Sequence, residues 1–169
     1  MASLSQAGGR FAGALEASAA RKALAGFFLT GLLMSFLGPI LPAWGYHIRS
    51  DYSAAGLHFL AMALGIIASV GGSHRLLPIK GIRFLLVLSS GVAAGSLLAL
   101  ALMSPPVALG WRLAGIFLVG ASSGGLATAL FHGISSIYEH DPAATANLAG
   151  LLFGLGSLTT ALLVSGTFY

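Results

Sequence analysis

The side chains able to do chemistry are few and far apart in this chain. His58 is the clearest titratable group set inside a long apolar run, where an imidazole can take up a proton or hydrogen-bond a solute hydroxyl. A wetted interfacial histidine is the plainer reading. Asn147 offers an amide that both donates and accepts, as a hydroxyl-rich ligand requires, and helix–helix hydrogen bonding competes for it. Trp44 serves either as a stacking platform or as an interfacial belt residue, and Trp111 with Arg112 reads as an interface anchor. His132, Glu139, His140 and Asp141 are metal-ligand types, but their spacing matches no metal motif. No serine or threonine has an acid and base partner suggesting a hydrolase, and nothing calls for a cofactor or a metal. The pattern points away from an enzyme.

The composition explains why such groups are scarce. The 169 residues are 57% apolar and only 7% charged, where an ordinary soluble domain carries roughly 25%. A net charge of +4 is too thin and scattered for a nucleic-acid face, and the absence of cysteine excludes a disulfide scaffold or a thiolate metal site. The 24 glycines suit membrane helices packed backbone to backbone. The bilayer is therefore the first partner.

A hydrocarbon core about 30 Å thick needs roughly 20 apolar helical residues per crossing. The charges divide the chain into five such intervals, at about 23–44, 53–72, 84–103, 107–133 and 142–168, after a tail at 1–21. The expected fold is an all-α polytopic membrane protein. The runs lack the alternation of a membrane β-barrel. Ser53, Ser104 before Pro105, and Asp141 before Pro142 are candidate helix caps. Arg10, Arg21, Lys22, Arg75, Lys80 and Arg83 fall on one side and Arg49 and Arg112 on the other, which places the N-terminus in the cytoplasm and the C-terminus outside.

Small and polar residues mark the faces expected to meet other helices or line a solute path. Helix one sets Gly31, Ser35, Gly38 and Pro42 on one face, and Pro39 and Pro42 should kink its outer end. Helix two aligns His58, Met62, Gly65, Ser69 and Gly72. Helix four carries Gly120 and Gly124, and helix five aligns Asn147, Gly150, Gly154, Ser157 and Ala161. Helix three, with Leu85, Leu86, Leu88, Leu97, Leu98 and Leu100, should face mostly lipid.

The order of these features resembles the N-terminal half of a major facilitator superfamily transporter. Helix one runs Phe28, Leu29, Thr30, Gly31 and then Gly38, Pro39, Ile40, Leu41, Pro42. The two–three connection, Gly71 to Arg75 and Lys80 to Arg83, is similar to a degenerate form of that family's cytoplasmic loop signature. Helix four is glycine-rich from Gly115 to Gly125, and Phe153, Gly154, Leu155, Gly156 resembles a stretch of sugar-porter-like members. The resemblance implies a partial six-helix bundle in the plasma (inner) membrane and transport of a small polar solute. It makes His74, Arg75, Gly81 and Arg83 gating-loop candidates, and His58, Asn147, Trp44, Ser35 and Ser157 substrate-path candidates. The loop lacks the family's aspartate, helix four lacks the arginine of drug antiporters, and Gly156 and Ser157 stand where those antiporters show Gly-Pro. Five helices fall short of twelve, so the resemblance implies a truncated or split bundle completed by a second transporter half or a homo-oligomer. A stand-alone five-helix scaffold or regulatory subunit is the alternative.

Overall fold

The computed structural model describes residues 22–43, 52–102, 107–135 and 141–168, and no strand occurs among the described residues. We number its helices α1 (residues 22–35), α2 (Leu37–Ala43), α3 (Tyr52–Leu102), α4 (Leu109–Gly133) and α5 (Pro142–Phe168). Trp44, Arg49, Ser104, Glu139, His140 and the tail at 1–21 lie outside the described residues.

Four helical stretches are long and apolar enough to cross a membrane: Lys22–Pro42, Tyr52–Leu102, Leu109–Gly133 and Pro142–Thr167. The sequence leads one to expect five. The difference lies at residues 73–83, expected to be a loop because they carry His74, Arg75, Lys80 and Arg83. The chain stays helical there, and within α3 only Gly81 leaves helical geometry, at φ 78° and ψ 168°. Long cationic side chains reach water from a helix that has outrun the hydrocarbon, so charge alone does not end it. Glycine does, since this φ is open to it and costly for other residues.

The two arms of α3 fold back on each other at Gly81. Along α4, Gly120 packs on Met62 and Gly124 on Ile66, so the first arm runs parallel to α4. Gly115 packs on Leu100, Gly125 on Ser89 and Gly133 on Ile82, so the second arm runs antiparallel. Helix α4 is thus embraced by both arms. Leu85 and Leu100, expected to face lipid, are buried against it at 3% and 4% exposure. Lipid-facing character remains at Val87, Leu98 and Leu102, which are exposed.

Helices α1 and α2 form one span interrupted at Phe36, whose N–H donates to Leu33 O at 3.4 Å while Ile40 N–H donates to Phe36 O at 3.3 Å. The cause is local: Pro39 has no N–H for the Ser35 carbonyl four residues earlier, and its ring crowds that oxygen. Ser35 Oγ also donates back to Gly31 O at 2.7 Å, a bond that bends helices. At the start of α5, Asp141 caps as its type suggests, its Oδ1 accepting from Ala144 N–H at 3.1 Å. Ser53 does not cap α3, because the helix already includes Tyr52 and places Ser53 in its first turn.

Apolar packing joins the elements in three buried groups. Leu37, Leu41, Met62, Leu100, Ile116 and Val119 hold α2, α3 and α4 together. Phe27, Leu130, Ile134 and Ala149 bind α1, α4 and α5, with the Phe27 and Phe131 rings edge to face at 4.8 Å. Leu33, Ala93 and Leu126 fill the middle.

Candidate functional site

Where α1 crosses α5, the backbones come close enough for side-chain hydroxyls to bond across. A methyl group at Gly31 would collide with Phe153 O, and one at Gly156 with Phe28 O. Through this gap Ser157 Oγ donates to Gly31 O at 3.3 Å and Thr160 Oγ1 to Leu32 O at 3.1 Å. Ser35 Oγ lies 3.5 Å from Ser157 O. The structure therefore brings Ser35 and Ser157 together, in a seam where hydroxyls meet carbonyls that a helix crowded by small residues leaves approachable.

His58 lies elsewhere. It is fully buried on the α3 face that packs on α4, and its Nδ1 is 2.7 Å from Ala54 O, so Nδ1 donates to that carbonyl. Arg112 reaches back to Val107 O at 3.4 Å, and Trp111 beside it is exposed. His58 belongs to the packed α3–α4 contact and not to the α1–α5 seam.

Asn147 is exposed, as are Gly150 and Gly154, and nothing lies within 4 Å of a methyl built at either glycine. The buried face of α5 is instead Thr145, Ala149, Gly156 and Thr160. The expected face is rotated from the observed one because the sequence pairs small residues without saying which row has a neighbour. Gly38 is likewise open, whereas Gly31, Gly120 and Gly124 each sit against a facing helix. Of the loop candidates, His74, Arg75 and Arg83 are all exposed around Gly81.

A cavity of about 260 Å³ opens between α1, α4 and α5, walled chiefly by Phe27, Met34, Phe131 and Phe153 with Thr30 and Gly150. Its one hydroxyl, Thr30 Oγ1, donates to Gly26 O at 3.1 Å and keeps its lone pairs to accept. None of its lining side chains among the described residues is ionisable. A smaller cavity of about 160 Å³ lies between the α3 arms and α4, bordered by Ser69, Ser73, Ser89 and Ser122. Beside Ser122, Ser123 is fully buried and its Oγ has no hydrogen-bond partner. Sequence reasoning passed over Thr30, Phe131 and Ser123 as functional residues. The helical spacing that sets Phe27, Thr30 and Met34 on one face of α1, and Ala127 and Phe131 on one face of α4, is the available signal.

No protein-family model, curated protein or solved structure matches this chain.

Proposed function

We propose that this chain is a helical bundle of a secondary transporter of the major facilitator type, carrying a small solute past α1, α4 and α5. In this reading the two arms of α3 cross the membrane separately, giving five crossings with the N-terminus cytoplasmic and the C-terminus outside. A second bundle supplies the opposite wall of the path.

The observation that carries the reading is the broken helix α1–α2 beside a cavity within the membrane-spanning region. The break at Phe36 falls two residues from Met34, a wall of that cavity. Interrupted helices next to a cavity at membrane depth are a device of transporters, since irregular backbone is tolerated there. The helix directions agree: α1 runs parallel to α5, with Phe27 against Ala149 and Leu32 bonded to Thr160, and the first arm of α3 runs parallel to α4, as alternating crossings require.

The test is solute uptake by proteoliposomes, with the chain alone and with a second six-helix bundle, across sugars, polyols, organic acids and aromatic solutes. The reading expects protein-dependent uptake that Gly150→Phe reduces at least tenfold. That side chain fills the cavity from an open position, so the fold should melt unchanged. Absence of protein-dependent uptake across the whole panel would count against the reading.

A further inference from the structure

One end of the bundle concentrates almost all of the charge among the described residues. Gly26 of α1 packs on Leu130, Gly133 of α4 packs on Ile82, and Ala149 of α5 clusters with Phe27 and Leu130. The start of α1, the tip of the α3 hairpin, the end of α4 and the start of α5 therefore share this end. It carries Lys22, Arg75, Lys80 and Arg83, with His74 and His132, all exposed. The only acid among the described residues is Asp141, occupied in capping α5. No ion pair is made by Arg75, Lys80 or Arg83 among the described residues.

The cations alternate with exposed apolar groups. Ile79 is 75% exposed and Phe84 43%, with Pro78 exposed beside them. Counting about 1.5 Å per residue from Ser53, Arg75 lies roughly 33 Å along the first arm and Lys80 roughly 40 Å, just past a hydrocarbon core of about 30 Å. That is headgroup depth. We propose that the α3 hairpin tip binds anionic phospholipid headgroups of the bilayer, with Arg75, Lys80 and Arg83 on the phosphates and Ile79 and Phe84 packed among the headgroups beside them. A soluble anion fits less well, because nothing encloses it and it leaves Ile79 and Phe84 in water. The lipid satisfies both kinds of side chain at once.

The experiment follows the melting temperature of the full chain in a neutral detergent as phosphatidylglycerol or phosphatidylcholine is added. Phosphatidylglycerol should raise the midpoint and phosphatidylcholine should not, and 0.5 M salt should suppress the rise, as screening of exposed charges requires. A cation near an anionic surface is worth roughly fivefold in binding, so R75Q/K80Q/R83Q should raise the half-saturating phosphatidylglycerol concentration about a hundredfold. R112Q, at the opposite end, should leave it unchanged. If the triple variant melts early in phosphatidylcholine, the single R75Q should still weaken the response about fivefold, and R75K/R83K should retain it. Equal responses to the two lipids, an undiminished response in both R75Q and the triple variant, or the same shift from inorganic phosphate alone would overturn the proposal.

Discussion

Ser157 Oγ donates to Gly31 O at 3.3 Å across the α1–α5 crossing, at the one place where the two backbones leave no room for a side chain at Gly31. Closeness and hydrogen bonding depend on each other here. In lipid no hydrophobic force drives helices together, so packing and interhelical hydrogen bonds must hold this pair. Gly31→Val and Gly156→Val should each lower stability by about 1–3 kcal/mol or more, the usual cost of overpacking. Gly150→Val and Gly154→Val, built into open space, should change it by less than about 0.5 kcal/mol. Unfolding in detergent distinguishes the two pairs.

Gly81 is the hinge of the α3 hairpin, and its φ of 78° is the reason glycine stands there. Gly81→Ala should cost about 1–3 kcal/mol even though nothing lies within 4 Å to collide with the added methyl. A loss below about 0.5 kcal/mol would mean that the backbone turns there in another way.

Ser123 presents the opposite case, a fully buried hydroxyl with no partner. An unsatisfied buried polar group costs about 1–3 kcal/mol, so Ser123→Ala should leave stability unchanged or raise it. A marked loss in the melting curve would show that the hydroxyl is bonded after all.

The three described histidines should separate by reactivity. His74 and His132 are exposed and His58 is fully buried. Diethyl pyrocarbonate, mapped by mass spectrometry of the folded protein, should modify His74 and His132 well before His58. Equal rates would place His58 on an open aqueous path and revive it as a solute contact.

Much of this was legible in the residues, and the failures share a cause. Long apolar runs announced membrane helices, Pro39 announced a break in the first, and Asp141 announced the start of α5. Gly31, Gly120 and Gly124 each sit against a facing helix. Gly38, Gly150 and Gly154 have the same spacing and face open space, because a small residue permits close approach without naming the neighbour that approaches. Asn147 inherited the same rotation of α5. The charges of residues 73–83 suggest a loop, yet only Gly81 there has the backbone freedom to end the helix. Thr30, Phe27 and Phe131 looked like ordinary helix residues, and only the meeting of α1, α4 and α5 makes them walls of one cavity.

If α3 crosses the membrane twice, its tip and the start of α4 lie on opposite sides. The chain has no cysteine, which allows single reporters at the exposed positions Ile79 and Trp111. Ile79→Cys and Trp111→Cys should be labelled by a membrane-impermeant maleimide from opposite faces of sealed vesicles, Ile79→Cys from the cytoplasmic face. Labelling of both from the same face would contradict the five-crossing bundle and the transport path built on it.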